Sequence, residues 1–262
     1  MDYQSLQIEI ETGVATVWMN RPERHNAFDE TLIEELTAAF VQLDQDSRVR
    51  AVVLAGRGKS FSAGADLNWM RKAASYTLDE NLRDARALAA MLRTIHRLSK
   101  PTLARVHGAA LGGGMGLTTA CDIAIASTQA SFATTEVKFG IIPAAISPYV
   151  INAMGARMAS RYFLTAGRFD AQEAHRVGVV HDVCPPERLD ERVKEVAAAL
   201  LSGGPKAQTA AKELIRAVVH RSLDDALVED TAQRIARLRA TAEAKEGIGA
   251  FLDKRTPSWI EG

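Results

Sequence analysis

The sequence predicts an α/β protein that becomes wholly helical towards its C-terminus. Three observations carry this. Short apolar or alternating runs, at 6–11, 14–19, 51–55, 102–106 and 122–126, read as strands. Amphipathic stretches bounded by capping residues lie between them, so helices and strands alternate as in layers joined by βαβ crossovers. After a last short strand at 179–183, apolar residues recur only at helical spacing. Gly203-Gly204 is the clearest break, and it separates an expected core, residues 1–200, from an expected helical region, residues 201–262.

Taken in order, Leu6–Glu11 and Val14–Met19 flank Thr12-Gly13, the signature of a tight hairpin. A polar loop follows, Asn20 to Ala27. Asp29 is placed to cap a helix whose apolar residues Leu32, Ile33, Leu36, Ala39, Phe40 and Leu43 form one face. Ala51–Ala55 reads as a buried strand. It leads to Phe61-Ser62-Ala63-Gly64-Ala65-Asp66-Leu67, where small residues precede an Asp able to cap the next helix. Trp69, Met70, Ala73 and Tyr76 show little period and suit either a mobile wall over an apolar ligand or satellite core. Thr77 with Glu80 forms a capping box before a long amphipathic helix, 78–98, which Pro101 follows.

Strand 102–106 delivers the chain's most distinctive stretch, His107-Gly-Ala-Ala-Leu-Gly-Gly-Gly-Met-Gly-Leu117, with a helix from Met115 to Ala120 beyond it. Three consecutive glycines between a strand and a helix permit backbone shapes that a Cβ would obstruct, and let a ligand reach the amides. A helix start there offers free N–H groups and the positive end of a dipole, suited to an anion or to a carbonyl oxygen gaining charge. No Gly-Lys-Ser/Thr follows, so this is not a phosphate-binding P-loop, and dinucleotide-fingerprint spacing is absent. The remaining helices are expected at 150–163, 170–177, 189–201, 205–219, 223–241 and 247–254.

Charge excludes some classes of function. Thirty-two basic residues balance thirty-two acidic ones, leaving no electrostatic footprint for nucleic acid or an anionic membrane. Cys121 and Cys184 are far apart, fit neither a metal set nor a disulfide framework, and are expected as buried small hydrophobes. No secretory signal or bilayer-length apolar run is present, so a bacterial-type cytoplasm is the expected location. Glu136 lies among apolar neighbours in Phe132-Ala-Thr-Thr-Glu-Val-Lys-Phe-Gly140, where desolvation would raise its pKa into the useful range for proton transfer. A surface or ion-paired glutamate is the plainer alternative. Arg24 and His25 are loop residues that suit contact with an anionic ligand or simple solvent exposure.

Together, Asn20-Arg-Pro…Asn26-Ala27, Phe61–Leu67, Ala110-Leu-Gly-Gly-Gly114, Ala120-Cys-Asp-Ile123, Glu136–Pro143, Ala171–Val180 and Lys245–Arg255 resemble the crotonase superfamily of enoyl-CoA hydratases and isomerases, essentially end to end. The resemblance implies a crotonase-like spiral of ββα units with a helical C-terminal trimerisation region, assembling as a trimer or a dimer of trimers. The implied substrate is a coenzyme A thioester, with no metal and no separate cofactor. By position, the Ala65 and Gly113 amides would hold the thioester carbonyl oxygen, and Glu136 would be the acid–base. Ala63, Asp66 and Leu67 would line the CoA path with Arg24 and Ala27 beside it, and Phe251 and Lys254 would reach CoA on a neighbouring subunit.

One departure is informative. Gly116 stands where the two-carboxylate hydratases of the family carry their first glutamate. A lone Glu136 could take a proton from water and return it to the α-carbon, with Thr119, Ser147 and Tyr149 as candidate helpers, or could move a proton between two carbons as an isomerase does. Gly-Gly-Gly-Met-Gly-Leu, Asp66–Met70 and Ile142–Val150 look like the bacterial methylglutaconyl-CoA hydratases of leucine and isoprenoid catabolism. The implied activity is hydration of 3-methylglutaconyl-CoA or a related branched 2-enoyl-CoA. The alternatives are a Δ3,Δ2-enoyl-CoA isomerase and a catalytically inactive CoA-thioester- or RNA-binding relative, the last disfavoured by the balanced charge.

Overall fold

The computed structural model describes residues 3–260. The larger sheet has six strands: β1 (Leu6–Glu11), β2 (Val14–Met19), β3 (Ala51–Gly56), β4 (Thr102–Val106), β6 (Ile123–Ser127) and β9 (Asp182–Cys184), side by side in that order. The β1–β2 hairpin is antiparallel and every later pair is parallel, as crossover connections require. All six residues of β3 are buried, because helices cover one face and the rest of the sheet surrounds it. The main core lies between this sheet and α1 (Glu30–Gln45), α3 (Leu78–Arg97) and α4 (Gly113–Ala120), around Phe28, Phe40, Phe61, Met91, Leu92 and Phe132.

A second sheet of three short strands, β5 (Ala109–Leu111), β7 (Ser131–Ala133) and β8 (Phe169–Asp170), carries the segments of chemical interest. β5 and β7 run parallel with Leu111 opposite Ala133. Three-residue strands are too short to show a period, so nothing in the sequence marks them as strands. The capping expectations hold at three helices. Asp29 accepts from the Leu32 amide, Asp66 accepts from Asn68 and Trp69 at the start of α2 (Leu67–Ala73), and Thr77 and Glu80 form a reciprocal box.

Elsewhere the boundaries move. Helix α4 begins at Gly113 rather than Met115. Helix α5 (Ser147–Thr165) starts earlier than expected, with Pro148 tolerated in its first turn, and bends at Gly155, where φ is 74°. The strand expected over Val179–Val183 shrinks to Asp182–Cys184. Val179 and Val180 instead donate to the Ala174 carbonyl and plug the core after α6 (Ala171–Arg176), where Gly178 turns left-handed at φ 85°. Cys121 is buried as expected, but Cys184 is only partly so, because β9 forms the sheet edge.

After α7 (Leu189–Ser202), helices α8 (Pro205–Val218), α9 (Asp225–Arg239) and α10 (Ala242–Leu252) pack chiefly on one another. Buried Lys212 fastens α8 to the core. Its Nζ donates to Asp122 Oδ2 at 2.6 Å and to the Lys100 carbonyl at 2.8 Å, and the same Asp122 oxygen accepts from the Thr102 amide and hydroxyl.

Candidate active site

The site forms where three chain segments leave neighbouring extended segments at one level. The 61–65 segment pairs along the free side of β5: Ser62 donates to Ala109, Leu111 donates to Ser62, and Ser62 and Ala110 form a parallel bridge. Ala65 lies three residues beyond Ser62, and Gly113 lies three beyond Ala110, so the two turns emerge side by side. On the other flank, Phe28 bridges Ala65 in parallel.

Within this tight lattice the neighbouring amides are paired. Ala63 donates to His25, Asp66 to Phe28, and Gly112 to Ala133. The amides of Ala65 and Gly113 find no acceptor among the described residues. At Gly113 the cause is its place at the start of α4, where a helix leaves its first N–H groups free.

Gly112 makes the approach possible. Its backbone sits at φ 50°, ψ −115°, a conformation reserved for glycine. A Cβ there would lie 3.1 Å from Glu136 Oε1 and 3.9 Å from the Gly64 Cα, so Glu136 and the other turn both crowd this one residue. Gly113 is constrained too, since a Cβ on it would enter the Phe28 ring at 2.6 Å.

Glu136 opens a 3-10 turn, Glu136–Phe139, three residues after β7 ends. Burial pushes its carboxyl above the ordinary value of 4.5, and nearby backbone amides oppose this only in part. Its Oε2 is buried without a hydrogen-bond partner. This is the desolvated carboxylate that its apolar sequence context led us to expect.

The other expected site residues divide into two groups. Arg24, Ala27, Ala63, Asp66 and Leu67 gather around the Ala65 turn. Asp66 is buried, and its carboxylate accepts from Arg24 at 2.9 Å as well as from the α2 amides. Burial alone would raise the Asp66 carboxyl, but Arg24 and the Asn68 and Trp69 amides outweigh it and hold it below the usual range. Asp66 therefore orients Arg24 and α2, and has little left to offer a ligand. The half-exposed Arg24 keeps donors for an anion. Leu67 is 70% exposed at the mouth of the turn. Phe251, 82% exposed, and Lys254 lie on and just after α10, which packs on α8 and α9, so their own chain does not bring them to the amide turns.

The segment 68–76 is satellite core in part, since Trp69 packs, partly buried, against the main core. It holds α2, which buries no residue and is strapped down by polar contacts: Trp69 Nε1 to Asp84 on α3 at 3.0 Å, and Lys72 to Glu30 on α1.

None of the three possible helpers reaches Glu136 by a hydrogen bond among the described residues. Thr119 donates to its own helix at Met115, Ser147 donates to Ala144, and the Tyr149 ring packs edge-on against His96 at 5.3 Å. The site of the family's first glutamate is filled. A Cβ at Gly116 would lie 2.3 Å from Ile146 Cγ2 and 3.6 Å from Leu92 Cδ2. Ile146, fully buried, was not singled out from the sequence, because nothing local links it to a residue thirty positions away. Asn26 was also missed as a builder of the site. Wholly buried with φ 53°, it accepts from Arg21 and donates to Arg57 and Ser60, locking the loop that carries Arg24. Its signals were its place in the Asn20–Ala27 stretch that carries the resemblance and the general tolerance of Asn for left-handed turns.

Known proteins are similar to this chain along nearly its whole length. A model of the enoyl-CoA hydratase/isomerase family matches residues 9–262. The crotonyl-CoA hydratase of Syntrophomonas wolfei is 33% identical, with 99% of each chain covered. The short-chain-enoyl-CoA hydratase of Clostridium acetobutylicum is 33% identical over 100% of this chain and 98% of its own. The crystal structure of an enoyl-CoA hydratase from Shewanella pealeana superposes with a TM-score of 0.95 at 42% identity, covering 98% of this chain and 96% of that one. The chain belongs to the enoyl-CoA hydratase/isomerase family, the crotonases.

Proposed function

We propose that this protein hydrates a 2-enoyl-CoA thioester, 3-methylglutaconyl-CoA or a related branched acyl-CoA, through an enolate held in an oxyanion hole. The observation that carries the reading is the convergence of two unpartnered amides, Ala65 and Gly113, with one desolvated carboxylate, Glu136, whose Oε2 has no hydrogen-bond partner. The amides hold the thioester carbonyl oxygen. Glu136 takes a proton from water as the water oxygen bonds to the β-carbon, and negative charge moves onto the carbonyl oxygen. Glu136 then returns the proton to the α-carbon, the C=O bond re-forms, and a 3-hydroxyacyl thioester results. Each oxyanion donor typically contributes about 2.7–4 kcal/mol to such a step. CoA is part of the substrate, and the reading calls for no resident cofactor.

Arg24, oriented by Asp66, meets a CoA phosphate at the mouth of the Ala65 turn, beside Ala27, Ala63 and Leu67. Residues 201–262 serve trimerisation, as the exposed apolar residues Ile248, Phe251 and Leu252 on α10 suggest, and Phe251 and Lys254 then reach CoA on a neighbouring subunit. Among the described residues no helix is long and apolar enough to cross a membrane. A cytoplasmic location remains part of this proposal.

The lone carboxylate also supports a second reading, a Δ3,Δ2-enoyl-CoA isomerase in which Glu136 shuttles a proton between two carbons. Incubation with crotonyl-CoA, 3-methylglutaconyl-CoA and a 3-enoyl-CoA in oxygen-18 water, followed by mass spectrometry, separates the two. Solvent oxygen in the product, with preference for the methylglutaconyl thioester, is the expected result. Double-bond migration without solvent oxygen would replace hydration by isomerisation.

A further inference from the structure

Position 116 lies one helical turn beyond Gly112, and its amide donates to the Gly112 carbonyl. It is therefore on the same side of α4 as the crowded Gly112–Glu136 contact. The wall there is hydrocarbon. Ile146 Cγ2 stands 2.3 Å, and Leu92 Cδ2 3.6 Å, from where a residue-116 Cβ would begin. Gly116, Ile146 and Leu92 are all buried, and no polar side-chain atom is among the closest neighbours of that point.

A thioester whose carbonyl oxygen sits at the Gly113 amide extends its acyl chain along this face, with the β-carbon two bonds beyond the carbonyl carbon. A carboxylate at 116 would oppose a β-hydrogen comfortably, but would lose hydration against a β-alkyl group. Ile146, 2% exposed, and Leu92, wholly buried behind it, close this face with hydrocarbon, against which a methyl gains by being buried.

We infer that Ile146, with Leu92 behind it, is a specificity-determining residue that selects acyl thioesters carrying an alkyl branch on the β-carbon. This deepens the hydratase reading by assigning the branch a seat, and it rests on that reading for where the acyl chain lies. It goes further in one respect: the selection is built into binding and does not depend on which reaction Glu136 performs.

Binding is therefore the discriminating measurement. Calorimetric titration of the intact protein with isovaleryl-CoA and butyryl-CoA compares saturated thioesters that differ by one β-methyl and cannot be hydrated. The wild type is expected to bind isovaleryl-CoA roughly tenfold more tightly, the lower end of what one apolar group contributes in a fitted pocket. Ile146→Ala should reduce that ratio towards one, and Ile146→Val, a milder change that guards against misfolding, should reduce it partway. The ratio is internal to each variant, so the fraction of correctly folded protein cancels. Equal binding of the two thioesters by the wild type, or an unchanged ratio in Ile146→Ala, would overturn the inference. Hydration of 3-methylglutaconyl-CoA, 3-methylcrotonyl-CoA and crotonyl-CoA is assayed in parallel. Absence of turnover with the binding ratio intact would sink the hydratase reading and leave the role of Ile146 standing.

Discussion

Gly112→Ala is the substitution that presses hardest on the proposed chemistry without touching any reacting group. Two costs can be separated. The first is backbone strain: a non-glycine residue at φ 50°, ψ −115° costs about 1–3 kcal/mol. The second is displacement. The new methyl would stand 3.1 Å from Glu136 Oε1, closer than an ordinary contact by a few tenths of an ångström, so the carboxylate or the turn must yield. A misplacement approaching 1 Å costs about 100-fold in rate when reacting groups depend on alignment.

Gly140→Ala is the matched control. Gly140 also has a positive φ, 73°, but a Cβ there meets nothing within 4 Å, so it carries strain alone. The assay is loss of the ultraviolet absorbance of the conjugated enoyl thioester, alongside denaturant melts. Gly112→Ala should lower kcat by about 10- to 100-fold, while Gly140→Ala loses stability with kcat nearly unchanged. Equal kcat in the two variants, at comparable folded fractions, would refute the claim that Gly112 sets the position of Glu136.

Glu136→Gln should lower kcat by about 10²- to 10⁴-fold, the usual contribution of a positioned acid–base. In the wild type, the acid limb of kcat/KM should fall above the ordinary carboxylate value of 4.5, because burial raises the Glu136 pKa and the base must be ionised. Stability follows the opposite direction. A raised folded-state pKa contributes favourably below the unfolded value and is lost as pH rises through the folded value. Melts should therefore show Glu136→Gln gaining on the wild type at neutral pH, with the difference closing in acid. Asp122→Ala leaves the buried Lys212 ammonium without its counter-charge and should cost about 3–5 kcal/mol in denaturant melts, part of which Asp122→Ala/Lys212→Met should recover. Arg24→Ala should raise KM for CoA thioesters roughly 10-fold or more with little change in kcat, as expected for a lost charged hydrogen bond outside the chemistry.

The sequence was most legible where local rules act alone. The hairpin at Thr12-Gly13, the caps at Asp29, Asp66 and Thr77, and the buried run of β3 each announce themselves within a few residues. Glu136 was legible for the same reason, since its apolar context already implied desolvation. What stayed hidden depends on residues far apart in the chain. The strands β5 and β7 exist because they pair with each other, not because three residues favour strand. Asp66 looked like a ligand contact and a helix cap together. Only the placement of Arg24, forty-two positions earlier, shows that its carboxylate is already engaged. The Ile146 side chain in the space of residue 116 is likewise a tertiary fact: Gly116 signalled that a carboxylate was missing, but not what stood in its place.

The parallel pairing of β5 with β7 has a consequence for how such a site can change. The Gly113 turn and Glu136 leave adjacent strands that are in register, Leu111 opposite Ala133, with the Gly112 amide continuing the ladder at 2.8 Å. Adjacent strands are held about 4.8 Å apart by their hydrogen bonds, whatever side chains they carry. The spacing between the backbones that carry Gly113 and Glu136 is thus a property of the main chain, while Gly112 sets how closely the Glu136 carboxylate itself approaches. The walls proposed to read the acyl group, Leu92 and Ile146, come from other elements, α3 and the start of α5. On the proposed reading, the acyl walls therefore lie outside the strands that space Gly113 and Glu136, and can change without shifting those strands.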